Sequence, residues 1–575
     1  MRVVAASLLG LLMANCAPSV PETEISTSAN DLVFEVPVKL ITANTVYTGN
    51  PEAPEASGVV YGEDGRILAV LPVGFEGTVS GPDGALSGND LGDAVLFPGF
   101  VDGHAHLLGI GERELTLNLE GTVSVVELVT RIESEVQGLP EGQVVYGRGW
   151  IETGWPENRM PLASDLDAVS PDNPVILTRA DGHALVANTA ALIAAGVTDA
   201  TQDVDGGKIE RDADGAATGI LIDNSMGQVL QLVSAPTEQD IIRAYVVGSK
   251  AYSARGWTGV HNMSVNPRDA GILERLDLEG RMPLRLHNAY DREGFEIAEQ
   301  RQHETDTITN RSVKLYMDGA LGSRGALLIE PYSDRPNTSG LSLMEPDLLA
   351  TLMARAEDAD VQLAIHAIGD LANRRILDEF QQLKSISQVL SNGNGEPRDF
   401  SNNRWRIEHT QILHPDDIAR VGELGLIASM QPSHAIGDLK FAPSRLGQDR
   451  LYGAYAWQSL LDRNAVVLGG SDAPVEIGSP QIEFYAAVAR KDLEGFSNED
   501  WYAEEALSRA QALALFTTAP AYGAFMENDL GTIEVGKLAD FTAFDRDLMT
   551  IPEAEILDAK TVLTVVQGDV VFQAD

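Results

Sequence analysis

The chain has 575 residues, more than one hydrophobic core organises, so several domains are expected. Its 41 basic and 85 acidic residues leave a formal net charge of −44, a field that repels phosphate backbones and anionic lipid headgroups and argues against a nucleic-acid partner. The single cysteine, Cys16, excludes an intramolecular disulfide and a thiolate metal cluster.

Arg2 followed by the apolar run Val3 to Met13 reads as an export signal, too short to cross a bilayer as a helix. With Cys16 close behind, residues 1–16 resemble a bacterial lipoprotein signal peptide. The resemblance implies cleavage before Cys16, lipidation of its sulfur, and a protein anchored to a bacterial membrane and facing the periplasm. An ordinary export signal would leave it soluble there. Residues 17–31 are rich in Pro, Ser, Thr and Glu and read as a flexible tether.

From 32 to 95, short β-rich runs such as Leu40-Ile-Thr, Gly58-Val-Val-Tyr and Arg66-Ile-Leu-Ala-Val are split by turn residues. Residues 530–575 have the same texture, and the two termini together predict a small composite β-sandwich. Between them, at 96–529, one pattern repeats: a short β-branched run ending in polar residues, then an amphipathic stretch. The runs are Val95–His106, Gly259–Met263, Leu284–Asn288, Val313–Met317, Gln362–His366, Arg404–His409, Leu426–Gln431 and Val466–Asp472, with helices expected at Glu345–Asp358 and Arg374–Leu383. Eight such strands predict an α/β chain built on a (β/α)₈ barrel, whose strand ends carry the chemistry. The stretch from His106 to Gly259 is too long for one βα unit. It predicts a cap subdomain at about 111–245, placed at the barrel mouth to shape the substrate site.

Alternate residues of a strand share a face, so His104 and His106 point the same way and can share a metal. Further ligand types fall at later strand ends: Lys314, His366, His409 and Asp472. Imidazoles and a carboxylate suit zinc, manganese, iron or nickel, with zinc the expected divalent metal. The set exceeds what one tetrahedral ion needs, so one or two ions are expected. Two would need a bridging anion, which Lys314 could supply if carboxylated by carbon dioxide.

In this order on successive strands, His104-Ala-His106, Lys314, His366, His409 and Asp472 resemble the amidohydrolase superfamily. Arg179-Ala-Asp-Gly-His-Ala184, Met317-Asp-Gly-Ala-Leu-Gly-Ser-Arg324 and Ile365-His-Ala-Ile-Gly-Asp370 are similar to its YtcJ-like branch, amidohydrolase family 3, which includes an N-substituted formamide deformylase. The resemblance implies that His104, His106 and Asp472 hold one ion and His366 and His409 the other, with carboxylated Lys314 between them. It also implies hydrolysis of a non-peptide carbon–nitrogen bond, amide or formamide-like, in a small-molecule substrate. Metal-activated hydroxide attacks the carbonyl while Asp472 serves as general base and then general acid. His183, Arg324 and His434 are the candidate substrate-binding residues. A glutamate three residues past the fifth-strand histidine marks the deaminases, and Gly369 stands there instead. His261 and His287 read as pocket lining or structural, His303 and His414 as surface, and Trp150, Trp155 and Tyr316 as packing. Expected partners are a membrane only through the lipid, and a second copy of the chain. The alternatives are an esterase or lactonase on the same metal site, a serine hydrolase using Ser471, and a non-catalytic binding lipoprotein.

Overall fold

Eight parallel strands alternate with helices and wind into a barrel in a computed structural model that describes residues 26–28 and 31–574, apart from 153, 181, 183, 205–206, 235, 392–399 and 499–500. The signal peptide, Cys16 and residues 17–25 of the tether lie outside the described residues. The barrel strands are β1 (Phe100–Ala105), β2 (Trp257–Val265), β3 (Arg285–Tyr290), β4 (Ile308–Tyr316), β5 (Gln362–Ala367), β6 (Arg406–His409), β7 (Ile427–Met430) and β8 (Val466–Gly469), paired in chain order. Every residue of β3, β6 and β7 is buried, as expected for parallel strands covered on both faces.

The β1–β8 seam is closed beyond the ends of the formal ladder. Asp472 N–H donates to His104 O at 2.7 Å, and His106 N–H to Ala473 O at 2.8 Å. Deeper in the seam the Asp102 carboxylate accepts from Ser471 N–H (2.9 Å), Ser471 Oγ–H (2.6 Å) and His104 N–H (3.1 Å). The backbone that carries the first and last ligand candidates is therefore stitched directly together.

The run Val95–His106, expected as one barrel strand, is two strands in different sheets. Val95–Pro98 pairs antiparallel with Phe541–Phe544 of the C-terminal segment, and only Phe100–Ala105 enters the barrel. The break falls at Gly99, whose N–H donates to Asp540 O at 2.8 Å. A Cβ at Gly99 would lie 2.5 Å from Thr258 Oγ1, so no larger residue passes between the sheets there. Val38–Tyr47, Glu55–Gly62, Ile67–Leu71, Asn89–Asp90, Thr561–Val566 and Asp569–Gln573 complete this sheet from both termini. A four-stranded sheet (Ser26–Ser28, Asp31–Val33, Val79–Gly81, Gly84–Ala85) lies beside it, with Phe34, Val38, Leu40, Val60, Leu71 and Val79 in one core. Ser26–Ser28, expected within the flexible tether, is thus a strand that pairs with Asp31–Val33.

The insertion after β1 forms a six-stranded mixed sheet between Leu117 and Asp223 with a hydrophobic cluster of its own on each side. It is narrower than the expected 111–245. Helices α1 (Leu107–Leu115) and α2 (Glu238–Arg255) pack on each other, not within that sheet. Their contact is backbone to backbone: a Cβ on Gly111 would overlap Ala244 O at 1.8 Å, and one on Gly248 would meet Leu107 O at 2.8 Å.

Candidate metal centre

The C-terminal ends of the barrel strands bring the ligand-type residues together. His104, His409 and Asp472 each offer an atom within 4.8 Å of the others. His106 Nε2 lies 3.0 Å and His104 Nε2 3.4 Å from Asp472 Oδ1, and Lys314 Nζ stands 3.4 Å from His104 Nε2. The His366 ring packs on His409 with centroids 4.4 Å apart. His409 (φ +73°) and Asp472 (φ +60°) adopt the left-handed backbone region that non-glycine residues rarely enter, at a cost of about 1–3 kcal/mol each. At β6 this turn brings His409 to the site although its chain neighbour Glu408 also points into the barrel.

The hydrogen bonds fix which nitrogen of each ring is free. His104 Nδ1 donates to Glu408 Oε2 at 2.6 Å, His409 Nδ1 to Gln431 Oε1 at 2.8 Å, and His106 Nδ1 to Met263 O at 3.1 Å. Each bond leaves an Nε2 lone pair directed away from its partner. Two such lone pairs then converge on Asp472 Oδ1, an acceptor on acceptors, which repel unless a cation lies among them. Atoms sharing one ion at about 2.0–2.2 Å stand roughly 3.4 Å apart, so these separations fit a divalent metal.

Charge states agree with that fit. Burial first, then Lys314, lowers His104 to about 4 and His366 to about 3, and burial and His366 hold His409 well below the usual range, so all three rings are neutral ligands at neutral pH. Desolvation pushes Asp472 up, and only positive charge at its His104, His106 and His409 contacts outweighs it and keeps the carboxylate ionised, a charge that a cation would supply where the rings are neutral. Burial lowers Lys314 to about 8, toward the free amine that carboxylation requires. His106 and Asp472 keep 29% and 10% of their side chains exposed while His104 has none, so the site opens on the His106–Asp472 side.

Of the expected substrate-binding residues, His434 sits at the site: its Nε2 is 3.6 Å from Asp472 Oδ2 and its ring stacks 5.9 Å from His409. Arg324 is engaged elsewhere, bidentate on Asp334 at 2.8 and 3.1 Å. His183 lies outside the described residues. Ser471 is no nucleophile: it is fully buried, its hydroxyl donates to Asp102 and lies 3.2 Å from Tyr252 Oη, and among the described residues no histidine bonds to it to act as base. Tyr316, expected to be packing, borders the site instead, 38% exposed, with its ring 5.7 Å from His366. His261 and His287 are structural, bonded to Arg406 and to Thr309 and Gln362 respectively. No side chain fits at 369, where a Cβ would lie 2.1 Å from Leu327 O, so a deaminase-type glutamate has no place.

Several participants carried no readable signal. Buried Glu408 is held by Arg406 through both oxygens (2.7 and 2.9 Å) and in turn orients His104. Asp318 takes the backbone N–H groups of Leu327, Ile368 and Gly369 and lies 3.5 Å from His366 Nε2. Each is an ordinary acidic residue in sequence, and only the fold puts it behind a ligand. A separate cavity of about 410 Å³ lies between α1, α2 and the inserted sheet, lined by Glu112, Arg148, Arg243 and Val475 among others. None of the six ligand candidates lines it.

The profile of the amidohydrolase family matches residues 89–572. The chain is 32% identical over 491 residues to the putative amidohydrolase YtcJ of Bacillus subtilis (strain 168), covering 84% of this chain and 90% of that one. It is 34% identical over 520 residues to LONG AFTER FAR-RED 3 of Arabidopsis thaliana, covering 87% and 86%. Against the N-substituted formamide deformylase of Arthrobacter pascens it is 28% identical over 527 residues, covering 88% and 93%. Among solved structures, an uncharacterized metal-dependent hydrolase from Pyrococcus horikoshii OT3 aligns with a TM-score of 0.70 at 26% identity, over 90% of this chain and 99% of that one.

Proposed function

The chain belongs to the amidohydrolase family and is a metal-dependent hydrolase; from that premise we propose that it cleaves a carbon–nitrogen bond of a non-peptide amide or formamide. A divalent cation, zinc in this reading, supplies Lewis acidity that polarises the carbonyl and activates water near neutral pH. His104, His106, Lys314, His366, His409 and Asp472 would hold it, as one ion or as two bridged by carboxylated Lys314. The chain's own contribution is the placement of protons. Asp472 Oδ1 faces the histidines while Oδ2 faces the cleft, 3.6 Å from His434 Nε2. Oδ2 is thus placed to take the proton of the attacking water and return it to the departing nitrogen. Glu408 holds the ring of His104, and the His434 N–H offers a donor to the acyl oxygen.

The observation that carries the reading is this division of Asp472 between a ligand face and a cleft face. Similarity to the N-substituted formamide deformylase favours nitrogen over oxygen as the leaving atom. The test is a panel of formamides, amides and esters offered to the zinc-loaded protein. Formamide or amide turnover that a chelator abolishes and zinc restores is expected. Turnover of esters alone would overturn the bond assignment. Plasma emission on the same samples gives the metal count, with two ions expected if Lys314 is carboxylated.

We propose also that the protein is exported and tethered through lipidated Cys16. Cys16→Ser should move it from the membrane fraction to the soluble periplasmic extract; a wild type already soluble there would sink the anchor.

A further inference from the structure

The loop after β8 presents a carboxylate without a counter-charge. Glu476 follows Asp472 in that loop, keeps 30% of its side chain exposed, and its carboxylate accepts no hydrogen bond among the described residues. Its charged neighbours are acids: burial first, then Asp438, Glu120 and Asp472, push it up to about 8, so near neutral pH it keeps its proton until a positive group takes the proton's place. The cations nearby are committed. Arg113 pairs with Glu120 at 3.3 Å and donates to the backbone oxygens of Glu476 and Ile477, and Lys440 pairs with Asp492 at 3.2 Å.

The acidity of the whole chain does not account for this. Three buried acids are satisfied by the chain: Asp318 by three backbone N–H groups, Asp102 by Ser471 and His104, Glu505 by Ser459. Glu476 receives no such donor from the described residues, and 30% of its side chain remains open to solvent or to a ligand.

His434 gives an independent sign that a ligand fills the space. Its side chain is nine-tenths buried, and Gln411 Nε2 donates to its Nδ1 at 3.3 Å, so Nε2 carries the hydrogen. That N–H has no hydrogen-bond partner, and it points between Asp472 Oδ2 at 3.6 Å and Glu476 Oε1 at 3.9 Å. An unused donor thus lies between the reacting carboxylate and an unpaired one.

We propose that Glu476, with Asp438 behind it, binds a positively charged group of the substrate, an ammonium or guanidinium a few atoms from the scissile carbonyl. The inference rests on the reading of the Asp472 site as the hydrolytic centre. In this arrangement His434 Nε2–H holds an acceptor of the same molecule, and the positive group supplies the counter-charge that Glu476 lacks. The Tyr455 hydroxyl donates to Asp438 and fixes its carboxyl. A neutral substrate of the same shape leaves Glu476 uncompensated and binds less well.

Calorimetry on the zinc-loaded full chain tests this without turnover. The probes are n-pentylammonium and 1-pentanol, titrated into wild type and Glu476→Gln, with Asp438→Asn as a second variant should the first fail to fold. The ammonium is expected to bind at least about tenfold more tightly than the alcohol, the worth of one charge-assisted hydrogen bond, and the preference should collapse in the variant. Equal binding of the two probes, or a preference that survives Glu476→Gln, would overturn the proposal. So would calcium binding that the variant abolishes in a wild type showing no ammonium preference. Zinc-dependent amide hydrolysis without an ammonium preference refutes this inference alone, and an ammonium preference without any hydrolysis refutes only the catalytic reading.

Discussion

Replacing Glu408 by glutamine should weaken metal binding and turnover together, although Glu408 is not among the proposed ligands. The carboxylate is fully buried and serves two partners: His104 Nδ1 at 2.6 Å, and Arg406 through Nε at 2.7 Å and Nη2 at 2.9 Å. Desolvation opposes its charge, yet Arg406 and then His104 hold it well below the usual carboxylate range. Glutamine keeps one acceptor and turns the other position into a donor, which must then face either the ring N–H or the guanidinium. The His104 ring loses its fixed tautomer and angle, and such an outer-shell change typically lowers affinity or activity about 10–100-fold, or roughly 1.4–2.7 kcal/mol. Arg406 is left partly unpaired in the core, a loss of about 3–5 kcal/mol in stability. Zinc affinity in a chelator-buffered titration, kcat/KM for the best amide and a urea melt read the three effects. A variant with wild-type zinc affinity and kcat/KM would refute the assignment of Glu408 as the group that positions His104.

His104→Ala and Asp472→Asn should each abolish turnover while far-UV circular dichroism stays unchanged; full activity in either would end the metal mechanism. Ser471→Ala should cost about 1–3 kcal/mol in a chemical melt through the lost bond to Asp102, yet retain hydrolysis, and inactivation by a serine-directed phosphonate would contradict it. Burial, and to a lesser degree Arg406, lowers His287 from 6.5 to about 3, so the unfolded chain takes up its proton first as the solution acidifies. Its contribution is therefore complete above pH 6.5 and lost as pH falls toward 3, at most roughly 4–5 kcal/mol. His287→Gln should flatten that acid limb in pH-dependent melts, and an unchanged limb would show that His287 does not set it.

The barrel was legible because eight β-branched runs recur in a chain whose helices separate them, and each supplies a barrel strand in order, the first by its second half alone. The ligand candidates were legible for the same reason, since each stands at or just past a strand end. The shared run Val95–His106 was misread because its apolar flanks outweighed the Pro98-Gly99 break, where the chain passes from one sheet to the other. Glu408 was not legible at all. Strict alternation sends it to the face opposite His409, and only the positive φ of His409 brings both inward. Glu476, in the loop after β8, and His434, in the helix Pro432–Asp438, acquire meaning only from their approach across the chain, which leaves no periodic trace.

The single glycine between the two sheets also ties the site to a distant part of the chain. The strand that presents His104 and His106 is held from below by residues that follow all six ligand candidates in the chain: Asp540 O accepts from Gly99 N–H, Thr542 Oγ1 from Phe100 N–H, and the Asp540 carboxylate clamps Arg285 at the foot of β3. A nascent chain that has already emitted both histidines, and even Asp472, still lacks the strand that seats them. The seat of the first ligand strand is thus supplied by a segment 442 residues further along the chain.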